Sequence, residues 1–407
     1  MPPRAGSPFR DRAAHPLAGV TVLQIIPDLD PGGVAHAAIG TAAALSRAGA
    51  IALIACRGGQ LVSELQARGG LFTPFPANAR NPISMALNIR RLAQLIKTER
   101  VDIVHARARA PAWVAYAATR LTKTPFVTSF RGGYARGGPL ALRYNSIMAR
   151  GDVIIADSAF AGERASELFP AARDKIHVVV GGADCRLFAP KAVAAPRVQA
   201  VRRLWGAAQD ERIVYFVPGA PALAARTLIE AVTRLTKEAD AETLLGGTRF
   251  IIACDEPGGA LAKEIGAAIG KAGLGQIMRT CPASPDRPAA LLAAAVVVAI
   301  SAQLESLAGF VLEAEAMGAP VIVTAAGAAS ETILAPPEVD ESGRTGWRTP
   351  LNAEAVAVAL RAALSLGATA RDRLSLRARA HVEARFSIEQ TWAQTLSVYA
   401  AARGGVR

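Results

Sequence analysis

Two carboxylates, Glu305 and Glu313, lie eight positions apart near the middle of the second half of this 407-residue chain. The stretch around them reads as a loop, then a short helix with small residues at Ala314, Ala316 and Gly318. A turn at Gly318-Ala319-Pro320 and an apolar strand Val321-Ile322-Val323 follow, and a second small-residue turn, Gly327-Ala328-Ala329, leads to Glu331. In an open parallel sheet such a unit places polar groups at the carboxyl ends of strands, where ligands bind. Two glutamates on a solvated helix start would show the same spacing, so position matters. Glu305 follows an apolar run that ends at Ser301, and Glu313 lies just inside the helix behind it. Carboxylates so placed accept hydrogen bonds from sugar or ribose hydroxyls. The backbone amides of Leu307, Ala308, Gly309 and Phe310, at the start of the helix, suit a diphosphate. A second candidate is the turn Asp30-Pro31-Gly32-Gly33. Glycine lets backbone amides at a helix start approach a phosphate or a sugar, although glycine in such a turn also serves the turn itself.

The elements that must hold these residues alternate along the whole chain. The β-branched run Thr21–Ile26 precedes the Gly32-Gly33 turn and a helix over Val34–Ala48. Strands at 51–56, 102–105, 125–130, 153–156 and 177–180 are separated by helices at 61–67, 83–98, 111–121, 139–149 and 159–168. Residues 189–199, rich in Ala and Pro, have the composition of a linker. A second series then sets strands at 213–217, 250–254, 277–280, 296–300 and 320–324 against helices between them. Helices at 352–366, 368–385 and 387–402 close the chain, the last with Ser387 and Gln390 at capping-box spacing. Strand and helix in turn, with strands that are apolar throughout rather than alternating, predict parallel βαβ units covered on both faces.

Composition agrees with a globular α/β protein of two domains: 51% hydrophobic, 19% charged and 5% aromatic. The net charge of +13 is lopsided. Residues 1–150 hold 19 Lys and Arg against 6 Asp and Glu, whereas the remainder holds 27 of each. A basic face of this kind suits an anionic partner such as a membrane surface, an anionic glycan or nucleic acid. Few aromatics are interleaved with the basic residues and no nucleic-acid module is recognisable, which argues against nucleic acid. The four cysteines are scattered, without metal-ligand or redox spacing, and fit a reducing compartment. Residues 1–16 lack an apolar signal core, and the uncharged run 288–304 falls short of the ~20 apolar residues a spanning helix needs. The expectation is a cytoplasmic protein with peripheral contact at the inner face of the membrane.

The order of motifs resembles the family 4 retaining glycosyltransferases. Glu305–Glu331 carries that family's donor signature: two glutamates eight apart, then Glu-Ala-x-Ala-x-Gly-x-Pro-Val-Ile, a glycine turn and a glutamate. Gly32-Gly33, Asp102-Ile103-Val104-His105, Phe126-Val127-Thr128, Tyr144-Asn145-Ser146, Asp157-Ser158, Gly182-Ala183-Asp184, Thr345-Gly346-Trp347 and Phe386-Ser387 fit in sequence. The resemblance implies a GT-B fold: two Rossmann-like, doubly wound domains facing one another across a cleft, with a C-terminal helix crossing back. The expected divisions are a flexible basic arm at 1–18, an acceptor domain at 19–190, a nucleotide-sugar domain at 200–385 and the returning helix at 386–407. Glu313 would hold the donor ribose and Glu305 the transferred sugar, while Gly32 and Gly33 would approach donor phosphates and acceptor. The co-substrate would be a nucleotide-sugar, the acceptor an anionic or lipid-linked envelope glycan of lipopolysaccharide type, and no metal or cofactor would be needed. Such chemistry rests on positioning and on stabilising the leaving diphosphate.

The sequence departs from the family at three cationic positions. After the first strand of the second domain the family has Arg and then Lys; here Gly219 is followed by Ala220, and the only nearby cation is Arg226, which reads as a solvated helix residue. The family's His after the Phe126 strand is Arg131, a cation able to bind phosphate in its place. Gly181 stands where Arg is frequent. A catalytically impaired glycosyltransferase-like binding or scaffold protein is therefore the second reading.

Overall fold

The computed structural model describes residues 15–77, 81–131, 138–216, 221–301 and 308–404. The chain divides into two compact units, Met1–Val180 with Glu389–Arg407, and Gly181–Ile388.

The first unit is a seven-stranded sheet whose strand pairs all run parallel. It alternates β1 (Thr21–Ile25), α1 (Gly33–Arg47), β2 (Ile51–Cys56), α2 (Val62–Ala67), β3 (Leu71–Pro74), α3 (Pro82–Thr98), β4 (Ile103–Ala106) and α4 (Arg109–Thr122). Then come β5 (Phe126–Phe130), α5 (Pro139–Asn145), β6 (Val153–Ala156), α6 (Ala159–Leu168) and β7 (Ile176–Val178). Spatial order is β3-β2-β1-β4-β5-β6-β7. The direction of winding reverses between β1 and β4, and that switch point is where doubly wound sheets open a crevice at their carboxyl ends. β1 and β5 are buried at every residue, as strands covered on both faces must be.

The second unit opens with α7 (Ala195–Leu204), followed by β8 (Arg212–Phe216), α8 (Pro221–Leu235), α9 (Ala241–Leu245), β9 (Thr248–Cys254) and α10 (Ala260–Lys271). It continues with β10 (Met278–Pro282), α11 (Arg287–Ala293), β11 (Ala294–Ala299), α12 (Ala308–Ala316), β12 (Val321–Thr324), β13 (Trp347–Thr349), α13 (Ala353–Leu364) and α14 (Ala368–Arg385). Its parallel sheet runs β10-β9-β8-β11-β12-β13, with the switch point between β8 and β11. The last helix, α15 (Ile388–Gly404), lies almost wholly in the residues that cluster with the first unit. There Trp392, Leu396 and Tyr399 are buried. The Trp392 ring covers Gly40 of α1, where a Cβ would sit 3.0 Å from Nε1, and the Arg47 guanidinium lies over the same ring.

Two sequence expectations change. Residues 189–199 are not a linker between units, because the division falls after Val180 and α7 begins inside that stretch. Its Pro196 occupies the first turn of α7, where a missing N–H costs nothing, so the Ala/Pro composition marks a helix start. The short strands β3 and β13 escape the sequence pattern: β3 is only half buried and β13 is three residues long. At β13 the Thr345-Gly346-Trp347 motif has a steric cause. A Cβ on Gly346 would meet the Val321 carbonyl oxygen at 2.7 Å and Ile333 Cδ1 at 2.9 Å.

Candidate functional site

In the second unit the site is built on α12. β11 ends at Ala299 and the chain passes Ser301 before the helix starts at Ala308. Thr324 at the end of β12 fixes that exit: its hydroxyl accepts from the Ser301 amide at 2.8 Å and lies 3.1 Å from the Ser301 carbonyl. Ala308, Gly309 and Phe310 form the first described turn of α12, at the end where an α-helix leaves amides without an internal partner. Gly309 is exposed, and a Cβ there would meet nothing within 4 Å. Glu305, Leu307 and Gly219 lie outside the described residues.

Glu313 lies on the second turn of α12, with a side chain 17% exposed. Burial pushes its carboxyl up to about 7, against the opposing pull of the Arg287 guanidinium. That guanidinium forms an ion pair with Glu313 Oε2 from the start of α11. Arg287 has no counterpart in the sequence reading. Twenty-six positions separate it from Glu313, and only the packing of α11 on α12 brings them together. Beneath them Trp205 stacks on Tyr215 at 4.8 Å between ring centroids, and Tyr215 meets Phe310 at 6.0 Å. Burial raises the Tyr215 hydroxyl well above its ordinary range and keeps it protonated.

Two residues on, Glu315 faces the opposite way and is fully buried. Neither carboxyl oxygen meets hydrogen-bond geometry among the described residues, and the nearby Thr345 hydroxyl only partly offsets the effect of burial. Burial holds the Glu315 carboxyl well above the usual range and so favours its protonated form. Arg226, the cation nearest in sequence to the family's missing Arg and Lys, is 61% exposed and pairs with Glu264 at 2.6 Å.

The switch point of the first unit is cationic. Arg107, directly after β4, is 7% exposed, so this one of the cations counted over residues 1–150 does not belong to a basic face. Its Nε donates to Gln24 Oε1 and its Nη2 to Thr41 Oγ1, each at 2.7 Å. The Tyr399 hydroxyl of α15 also interacts with it. His105 is fully buried, with Nδ1 2.6 Å from the Tyr399 hydroxyl and Nε2 2.8 Å from Ser129 Oγ. Burial, and after it the charges of Arg107 and Arg131, hold its imidazole well below its ordinary range, so it is neutral. β1, α1, β4, β5 and α15 thus share one buried polar network.

Arg131 follows β5, is one-third exposed, and has its Nε 3.8 Å from Asp157 Oδ2. Its Nη1 lies 3.5 Å from where a Cβ on Gly33 would be. Two predicted residues far apart in sequence, Gly33 and Arg131, are therefore brought together: a guanidinium beside the first turn of α1. Gly32 precedes that turn in extended backbone, and its carbonyl lies 2.9 Å from His36 Nδ1. Asp30 is held by the Gln60 amide at 3.2 Å and by Arg57 at 3.0 Å. An anion can meet the free amides of α1 and the Arg131 charge at once.

Residues 31–187 match the family described as Glycosyltransferase Family 4, and residues 211–365 match Glycosyl transferases group 1. The chain is built of these two glycosyltransferase domains, one after the other. Among curated relatives, a D-inositol 3-phosphate glycosyltransferase of Nocardia farcinica (strain IFM 10152) is 30% identical over 193 residues, which is 46% of this chain and 40% of that protein. The chain spans about half the length of the curated relatives it matches. A glycosyltransferase structure from Rickettsia africae ESF-5 superposes with a TM-score of 0.79 at 27% identity, covering 94% of this chain and 98% of that one. Anabaena HepE, solved in complex with UDP and glucose, gives 0.74 at 17% identity, with 94% and 100% covered. These solved structures share the GT-B fold, and each of the two units is one Rossmann-like half of it.

Proposed function

We propose that the protein transfers a sugar from a nucleoside-diphosphate sugar to an anionic, envelope-type glycan or lipid-linked acceptor, with retention at the anomeric carbon and without a metal. The observation that carries this reading is Glu313: a partly exposed carboxylate behind the switch point of the second unit, one turn from the open amides of α12. Ribose hydroxyls would donate to Glu313, and the amides of Ala308, Gly309 and Phe310 would face the diphosphate. The bond from the anomeric carbon to the phosphate oxygen breaks, the acceptor oxygen bonds to the same face, and its proton passes to the leaving phosphate. Glu305 would hold the transferred sugar, and Gly32, Gly33 and Arg131 would offer the anion contact of the first unit. A nucleotide-sugar donor is supported by the UDP and glucose of HepE, and an anionic acceptor by the inositol phosphate named for the Nocardia relative.

Contact with an anionic membrane surface is part of the reading. Arg90, Arg91 and Lys97 are exposed on α3, and Ile83 and Leu87 of the same helix are 76% and 49% exposed. No single helix among the described residues is long and apolar enough to cross a membrane. Flotation with anionic vesicles should succeed at low salt and weaken at high salt; failure to float at both would remove this part.

The second reading, a binding or scaffold protein without turnover, is favoured by Arg226, whose pairing with Glu264 leaves it on the surface. Calorimetry with UDP, GDP and ADP separates the two. The wild-type chain should bind one of them, and Glu313→Ala should weaken that binding by about 2 kcal/mol, roughly thirtyfold, as for a hydrogen bond to a charged group. A wild-type chain that binds none of the three overturns the reading. A chain that binds one but releases no nucleotide from any sugar donor supports the scaffold.

A further inference from the structure

The ion pair between Arg287 and Glu313 is the exposed end of a longer chain of charges within the second unit. On α7, Arg197 grips Asp286 with two parallel hydrogen bonds, Nε to Oδ2 and Nη2 to Oδ1, both 2.8 Å. Asp286 in turn caps α11, its Oδ1 accepting from the Ala289 amide at 3.1 Å, while the Asp286 amide donates to Ser284 Oγ at 3.2 Å. Pro288 fixes the next backbone torsion. The residue between that cap and that proline is Arg287, so its backbone is held from both sides. Its side chain, half exposed, makes one strong contact among the described residues, with Glu313 Oε2.

We propose that Arg287 is a positioning residue for the nucleotide: through Oε2 it keeps the Glu313 carboxylate ionised and aimed, leaving Oε1 to accept from the ribose. This rests on the reading of Glu313 given above. An ionised carboxylate accepts at both oxygens and makes hydrogen bonds about twice as strong as a neutral group. A buried carboxyl tends to protonate and lose that capacity. The elements packed on α12 offer few alternatives to Arg287. β11 and β12 carry no charged residue. On α14, Arg379 is engaged by the Phe188, Cys185 and Ala316 carbonyls and by Glu383, and the His381 ring packs on Phe386. Arg371 of α14 donates to the Ala295 carbonyl, Glu331 sits on the turn Ser330–Thr332, and Tyr215 reaches Phe310 from β8. Of the charged groups among the described residues, only Arg287 acts on the ionisation of Glu313, and it acts against burial.

The sign follows. Nucleotide affinity that depends on the carboxylate is present above its pKa and is lost as pH falls through it. With Arg287 in place that fall centres on about 7. Without Arg287 the midpoint moves up by about one unit, the usual effect of losing one nearby opposite charge. The experiment has two arms. In the first, selectively carbon-13-labelled glutamate carboxyls are titrated by NMR without nucleotide, with Glu313 assigned by its loss in Glu313→Gln. In the second, UDP binding is measured by calorimetry from pH 6 to 9. Arg287→Met should raise the Glu313 midpoint by about a unit, weaken UDP binding about fivefold at pH 7 and restore most of it at pH 9. Arg287→Lys should stay near wild type in both, and Arg197→Met, which frees the cap, should fall between. An unmoved Glu313 midpoint in Arg287→Met overturns the proposal, as does a moved midpoint with an unchanged pH profile of binding. If the wild-type chain binds no nucleotide, the reading of Glu313 fails, whereas the titration still reports whether Arg287 controls the carboxyl.

Discussion

The two units place opposite charges at the same point of the same topology. Behind the switch point of the first sheet sits a buried guanidinium, Arg107, held by neutral acceptors from β1 and α1. Behind that of the second sit two carboxyls on one helix, Glu313 and Glu315, each handled differently. Arginine stays charged in any protein interior, so its cost can be met only by hydrogen bonds. A carboxyl has another way out, which is to take up a proton. Glu313 is held near the balance point by a neighbouring cation, and Glu315, with none among the described residues, is pushed toward the neutral form. Burial of like geometry therefore gives a fixed charge in one unit and pH-dependent charge in the other.

The largest effect that tests this contrast is expected at Arg107. Arg107→Ala strips donors from Gln24, Thr41 and Tyr399 at once and should cost about 3 kcal/mol in denaturant unfolding. That cost should be the same at pH 6 and pH 9, because Arg107 does not titrate there; a cost that changes by more than a kcal/mol across that range would break the comparison. Tyr399→Phe is next. It leaves His105 Nδ1 without its partner and should cost about 1–2 kcal/mol, with the loss confined to hydrogen-exchange protection in the first unit.

The smallest effect is at Glu315, and its sign runs with pH. The folded-state pKa lies above the ordinary ~4.3, so the folded chain holds a proton that the unfolded chain releases. The contribution to stability is complete below that ordinary value and shrinks as pH rises toward the folded one. Glu315→Gln removes this dependence. Its unfolding midpoint should nearly match wild type at pH 5 and exceed it at pH 8 by about 1 kcal/mol or more. Equal pH slopes for the two proteins would show that Glu315 is not buried as a neutral acid.

Much of this was legible in the sequence. Two series of alternating strands and helices, and the second unit's Glu305–Glu331 signature, fixed what each unit had to be, because apolar runs and glycine turns are local signals. The meeting of Gly33 and Arg131 followed from both lying at the carboxyl ends of strands that the topology brings close. Arg287 and the His105–Tyr399 contact were out of reach for the opposite reason. Each depends on a tertiary neighbour, 26 positions away in one case and 294 in the other, and neither residue type is unusual where it stands. Arg107 misled for a related reason: counting cations along a segment does not reveal which one turns inward. The linker expected at 189–199 failed because Ala and Pro serve a helix start as well as a loose connection.

Helix α15 has one further consequence. Chains are made from the amino end, so every residue of the second unit is synthesised before Trp392 and Tyr399 exist. The sheet of the first unit, made earliest, waits longest for its last pieces: the indole that covers Gly40 and the phenol that satisfies His105. The earliest-made unit thus waits for a helix made after the whole of the other, and its buried polar network is the part a nascent chain must keep from wrong partners until α15 is made.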